Sequence, residues 1–215
     1  MSVSGRTIVL AGATSDAGRA IARALVDAGA QVIATGRSVE GLASLASEVA
    51  GVRTEVCDVT DATAVTALAA RLGPVDGVIP LVGGWRGGGG LAGQTDDDYR
   101  ALEPAFTAVR NTSRAFDEAL RSSDAGRFAI VSSTVVVRPL AGGANYAAVK
   151  AASEAWARAV AQGYAKAARD AGQSLRAASV IFRAEALDPA TIARAVIDLW
   201  NHDATDLNDS VRELA

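Results

Sequence analysis

The chain has 215 residues, half of them hydrophobic, with 21 glycines and a formal net charge of −3. That size and composition suit one domain with a large, closely packed core, and the mild negative charge argues against an electrostatic nucleic-acid binder. Cys57 is the only cysteine and His202 the only histidine, which excludes an internal disulfide and leaves no basis for a zinc site. The N-terminus lacks an apolar run of signal-peptide type and no segment is long enough to span a bilayer, so the expectation is a soluble, cytoplasmic protein with no membrane partner.

The first element is Thr7 to Ala11, a short apolar run suited to a parallel strand buried on both faces. A turn, Gly12 to Gly18, reads GlyAlaThrSerAspAlaGly, and a helical pattern follows from Arg19 to Ala28. Strand, glycine-rich turn and helix in that order form the context a dinucleotide fingerprint requires. Gly12 allows the tight turn and Gly18 a close helix approach. Thr14, Ser15, Asp16 and Ala17 bring backbone N–H groups to where a pyrophosphate would sit.

These residues resemble the fingerprint of the short-chain dehydrogenase/reductase family, Gly-x-x-x-Gly-x-Gly. Gly12 and Gly18 match its outer glycines, and Asp16 replaces the middle one. A carboxylate beside a pyrophosphate is repulsive unless it turns away or caps the helix, so Asp16 is expected as the N-cap. The next strand, Gln31 to Thr35, runs into Gly36 and Arg37 with no carboxylate to grip a ribose 2′-hydroxyl. The resemblance implies that Arg37 meets the 2′-phosphate of NADP, against the alternative of a solvated surface arginine, and NAD stays possible. A third strand lies within Val52 to Thr60. There the resemblance puts Asp58 at the adenine amino group and Val59 against its ring. A helix runs from Asp61 to Leu72.

The fourth strand spans Asp76 to Gly84, and where the family writes Asn-Asn-Ala-Gly this chain has Pro80, Leu81, Val82 and Gly83. Val82 and Gly83 are retained as cofactor contacts, with altered packing expected in place of lost binding. Trp85 to Gly90 is a flexible loop beside the crevice, and Trp85 either covers substrate or cofactor or packs the loop. A helix is expected from Thr95 to Arg121. By family register Ala105 takes the position of a fourth catalytic residue, an asparagine. Asn111 lies six residues on, about 240° around the helix, and should face elsewhere. Pro104 should bend the helix there.

Ser133 ends an apolar strand, and Tyr146 and Lys150 stand four apart, on one face of a helix. An ammonium beside a phenol favours the phenolate, lowering a tyrosine pKa from about 10 toward working pH and making it a usable general acid or base. The three match the family's catalytic Ser-Tyr-Lys triad, in which the tyrosine and lysine also hold the cofactor. Their helix is expected to end near Ala171. A sixth strand follows at Leu175 to Ile181, then Phe182 and Arg183 where the family has Pro-Gly. Arg183 meets an acidic substrate or a cofactor phosphate, or else forms a surface ion pair. Asp188 caps a last helix, Thr191 to Asn201, so the family's substrate loop is almost absent. His202 reads as a cap or surface residue, and the tail as a short strand.

The expected fold over residues 1–215 is one doubly wound α/β domain, a parallel sheet of strand order 3-2-1-4-5-6-7 with helices on both faces. The resemblance implies an NADP(H)-preferring oxidoreductase acting on a small carbonyl or alcohol, as a homodimer or homotetramer. Ala105, Asp16 and the missing substrate loop keep open a non-catalytic nucleotide- or partner-binding relative, and fold alone leaves room for epimerase or dehydratase chemistry.

Overall fold

A computed structural model describes residues 2–214. Its order is β1 (Thr7–Ala11), α1 (Asp16–Asp27), β2 (Gln31–Gly36), α2 (Val39–Glu48), β3 (Arg53–Val56), α3 (Ala62–Leu72), β4 (Gly77–Pro80), α4 (Asp96–Ala115), α5 (Asp117–Ser122), β5 (Arg127–Ser133), α6 (Ala144–Asp170), β6 (Ala178–Ala184), α7 (Pro189–Asp198), α8 (Ala204–Leu207) and β7 (Ser210–Leu214). The strands form one sheet, β3-β2-β1-β4-β5-β6-β7, parallel at every pairing, as expected.

Strand alternation divides the core into two layers. In β1, Ile8 and Leu10 face a cluster with Ile21 and Leu25 of α1 and Ile192 and Val196 of α7. Val9 and Ala11 face the opposite cluster, with Leu68 of α3, Val109 of α4 and Ala157 of α6. Burial on both faces explains the unbroken apolar run. Among the described residues no helix is long and apolar enough to cross a membrane.

Several boundaries move. The helix expected over 95–121 is two, because Phe116 both ends α4 and starts α5. Pro104 lies inside α4, which continues past it to Ala115. The sixth strand starts three residues later than expected and runs through Phe182 and Arg183 to Ala184. The helix expected from Thr191 begins at Pro189 as α7, with Asp188 as its cap, accepting the Thr191 N–H at 2.7 Å, and a further short helix, α8, follows it. Only residues 185–188 join β6 to α7, so the short connection read from the sequence stands. The tail forms β7, and His202 sits at the surface with Nε2 2.9 Å from Asp198.

Arg127, at the start of β5, is fully buried. Its guanidinium donates to the carbonyls of Gly126, Arg176, Leu199 and His202 at 2.9–3.0 Å. It ties the sheet to the chain after α7, and burial lowers its pKa only to about 10, so it stays charged at neutral pH. Arg127→Leu would strand those carbonyls and lower the unfolding free energy by about 3 kcal/mol. Urea denaturation measures this, and an unchanged midpoint would refute it.

Candidate active site

The sheet reverses its winding between β1 and β4, and in such sheets ligands bind at the carboxyl ends on either side of that point. The turn after β1 is pinned there, with the N–H groups of Gly12 and Ala13 both donating to the Thr35 carbonyl, at 2.9 and 3.0 Å. Gly12 adopts φ +83, a conformation other residues avoid. A Cβ at Gly18 would stand 2.4 Å from the Ala13 carbonyl oxygen, so only glycine lets α1 approach this closely. The helix cap is Ser15, whose hydroxyl accepts the Gly18 N–H at 3.2 Å. This corrects the assignment to Asp16, which is the exposed first residue of α1. Either residue is a good cap by type, and the backbone places the serine one position earlier.

Two clefts flank this turn. One, of about 320 Å³, holds Gly12, Thr14, Ser15, Arg37, Asp58 and Val59. The other, of about 490 Å³, holds Ser15, Asp16, Ala17, Tyr146 and Lys150. Ser15, Leu81, Val82 and Gly83 line both, so the clefts run on as one crevice. The structure thus gathers the predicted turn, Arg37, Asp58, Val59, Val82, Gly83, Tyr146 and Lys150 along a single trough. In it Asp58 accepts both the N–H and hydroxyl of Thr60, at 2.9 and 2.7 Å, which hold its carboxyl below the usual range. Its other oxygen is 4.0 Å from the largely exposed Arg37 guanidinium.

At the far end, Ser133 closes β5 and is buried. Tyr146 and Lys150 share one face of α6, with the Lys150 Nζ 5.6 Å from the Tyr146 ring centroid. The Ser133 hydroxyl accepts the Val135 N–H at 3.4 Å and lies near enough to the phenol to favour its ionised form, yet burial outweighs this and pushes the Tyr146 pKa up. The expected depression of Tyr146 is therefore corrected. The buried ammonium donates to the Val131 carbonyl at 2.7 Å, and burial draws its own pKa down to about 8.

Glu154, one turn along α6 from Lys150, was not anticipated. It is buried, accepts the Ser132 hydroxyl at 2.7 Å, and takes a two-pronged contact from Arg183 at 2.8 and 2.6 Å. Burial pushes its carboxyl up, but the Arg183 and Ser132 hydrogen bonds outweigh that and its pKa falls. Its charge partly restores the Lys150 proton. Arg183 also lies 3.5 Å from Glu213 of β7, so of its two alternatives the ion pair is the one formed, within a mostly buried network and not at the surface, and contact with a substrate or cofactor phosphate is set aside. Nothing in local sequence pairs residues 154 and 183; the packing of α6 on β6 brings them together.

Asn111 does face away from the Tyr146 end of the crevice, and there it holds the turn that carries Asp58. Its amide donates to the carbonyls of Val59 and Thr60 at 3.1 and 3.0 Å. Ala105 is buried without a polar group, and Pro104 borders the smaller cleft. Trp85 is 62% exposed with its ring beside Gly87, which fits the loop-packing alternative.

A family model described as short chain dehydrogenase matches residues 6–168. The chain is 31% identical over 156 residues to the 3-oxoacyl-acyl-carrier-protein reductase FabG of Salmonella typhimurium, covering 70% of this chain and 64% of that relative. It is 43% identical over 72 residues to the 2-keto-3-deoxy-L-fuconate dehydrogenase of Xanthomonas campestris, covering 34% of this chain and 24% of the relative. The chain thus spans less than two thirds of the length of these curated relatives. A metagenomic short-chain oxidoreductase solved in complex with NADP superposes with a TM-score of 0.83 at 25% identity, over 100% of this chain and 99% of that one. A short-chain type dehydrogenase/reductase from Mycobacterium ulcerans superposes with a TM-score of 0.85 at 17% identity, over 99% and 89%, and speaks for the fold alone.

The chain has two lysines, Lys150 and Lys166, so ¹³Cε-lysine NMR reads Lys150 directly once Lys166→Arg assigns the signals. Its midpoint should lie at about 8, and Glu154→Gln should move it lower by removing the favourable charge. A folded pKa below the unfolded one means that the unfolded chain binds more protons between about pH 8 and the ordinary lysine range near 10.4. Lys150 therefore adds stability as pH rises through that window. A parent midpoint at the ordinary lysine value would contradict this account.

Proposed function

From the premise that this chain belongs to the short chain dehydrogenase family, we propose that it is an NADP(H)-preferring oxidoreductase interconverting a carbonyl and an alcohol. The observation that carries the reading is that Tyr146 and Lys150 line one end of a crevice, with Ser133 ending the strand beside Tyr146, while its other end is a glycine turn and a helix start.

The residues present fit a dinucleotide. The Asp16 and Ala17 N–H groups lie in the first turn of α1, where no intrahelical carbonyl is available to them, and both residues line the crevice. At Gly12 a Cβ would stand 2.9 Å from the Val82 side chain, so the glycine keeps the trough open between the two. Asp58 and Val59 would receive the adenine, with Asn111 steadying their turn. No carboxylate ends β2, and the Arg37 guanidinium, largely exposed and only 4.0 Å from Asp58 at its nearest, would turn to a 2′-phosphate. The NADP bound in the metagenomic relative agrees with that preference.

When bound, the nicotinamide supplies or accepts the hydride. In reduction Tyr146 gives its proton to the substrate oxygen, and in oxidation it takes that proton back. Ser133 donates to the same oxygen and stabilises the charge that develops there. Lys150 stands behind the phenol, so its positive charge favours the phenolate as the proton leaves. Carbonyl substrates agree with the reductase relative. A cytoplasmic homo-oligomer joined through α4 and α6 belongs to the same reading.

A second reading, a nucleotide-binding relative without turnover, draws on Ala105 and on the short link between β6 and α7. Tyr146→Phe separates the two. It should cut NADPH-dependent carbonyl reduction by about 100-fold or more while leaving NADPH affinity within about 3-fold. NADPH binding by the parent with no oxidation across a carbonyl panel would favour the second reading. Arg37→Ala should weaken NADPH about 10-fold and leave NADH unchanged. Equal losses for both nucleotides, measured by fluorescence titration, would remove the 2′-phosphate assignment.

A further inference from the structure

Five helices, α1, α2, α3, α4 and α7, are capped by a serine, threonine or aspartate immediately before them. The helix that carries Tyr146 and Lys150 is different. Its cap position is Gly143, which has no side chain to offer, although the first N–H groups of a helix need acceptors. The acceptor comes from far along the chain: the Gln94 Oε1 takes the Asn145 N–H at 3.1 Å.

The other end of the same side chain does a second job. The Gln94 Nε2 donates to Gly142 O at 3.0 Å, Gly88 O at 3.0 Å and Gly90 O at 3.3 Å. Gly88 N–H also donates to Gly142 O at 2.7 Å. Gly88, Gly89 and Gly90 all have positive φ, and such a glycine run is costly to hold in one shape. Asn145 completes the joint by donating its side-chain amide to the carbonyl of Thr95, the cap of α4, at 3.1 Å. One carboxamide therefore joins the loop after β4, the segment before α6 and the first turn of α6.

We propose that Gln94 is a positioning residue: it supplies the cap that α6 lacks and links the glycine loop to the placement of Tyr146. Tyr146 directly follows Asn145, so a shift of the first turn moves the phenol relative to Ser133. Lys150, a turn later, is braced separately on Val131. Small displacements of a proton donor are costly in rate. The kinetic part rests on Tyr146 being the proton donor; the link between loop and helix does not.

Two substitutions separate the two ends of the strut. Gln94→Glu keeps an acceptor for the Asn145 N–H, at a helix start that favours negative charge, but turns carboxylate oxygens toward the loop carbonyls. Gln94→Ala removes both ends. Amide exchange followed by NMR should rise about 10-fold at both Asn145 and Gly88 in Gln94→Ala, and at Gly88 alone in Gln94→Glu. In turnover, Gln94→Ala should lose about 10-fold in kcat with NADPH affinity kept, while Gln94→Glu should keep kcat and raise KM for the carbonyl. Should Gln94→Ala not fold, Gln94→Met takes its place. Unchanged exchange at Asn145 in Gln94→Ala, or equal losses of kcat in both variants, overturns the proposal. A parent with no turnover overturns the oxidoreductase reading instead, and the exchange measurements still decide the strut.

Discussion

A buried ammonium is the constraint around which this crevice is arranged. Lys150 is almost out of contact with water, and a charge so placed is unfavourable unless the protein answers it. Two groups do. The Val131 carbonyl accepts from Nζ at 2.7 Å, and Glu154 supplies an opposite charge from the next turn of α6. Neither is sufficient to hold the lysine at its ordinary pKa, and the residual is a proton bound only up to about pH 8. That balance leaves Lys150 a cation easily perturbed by whatever enters the space between it and Tyr146.

Glu154 is itself a buried charge, and removing one partner from such a pair is worse than never having the pair. Arg183 and Ser132 satisfy it, and Arg183 in turn reaches Glu213. The network crosses β5, α6, β6 and β7. It explains why Arg183 stands where the resembled family has glycine: at this position of β6 the chain needs a long cation directed at α6, not a residue without a side chain. At Phe182, where that family has proline, a proline would withdraw an N–H from a strand paired on both sides.

The sheet order and the Ser-Tyr-Lys spacing were legible because each rests on a local pattern: unbroken apolar strands, a glycine turn, and an i, i+4 pair. The readings that failed depended on tertiary burial or on one-residue register. Asp16 and Ser15 are both good caps by type, and only the backbone separates them. Residues 175–177 read as strand because Leu175 is apolar, but β6 takes its register from β5, with Ala178 opposite Arg127. The rise in the Tyr146 pKa follows from burial, which a spacing does not encode. Gln94 was invisible for a related reason: its partners lie 48 and 51 residues further along, and nothing local in a glycine-rich loop marks one glutamine as a cap.

The short link after β6 changes what encloses the Tyr146 end of the crevice. With only residues 185–188 between β6 and α7, that side contributes Glu185 and Leu187 and little else. The remaining wall must come from the loop after β4 and the segment before α6, and these expose Leu91, Val137 and Leu140. A wall built on consecutive glycines has no intrinsic stiffness. Its shape therefore depends on the hydrogen bonds that tether it, and those converge on the helix that carries Tyr146. In such an arrangement any ligand that moves the wall also acts on the start of α6. The shape of that wall and the placement of the phenol then follow from one set of contacts.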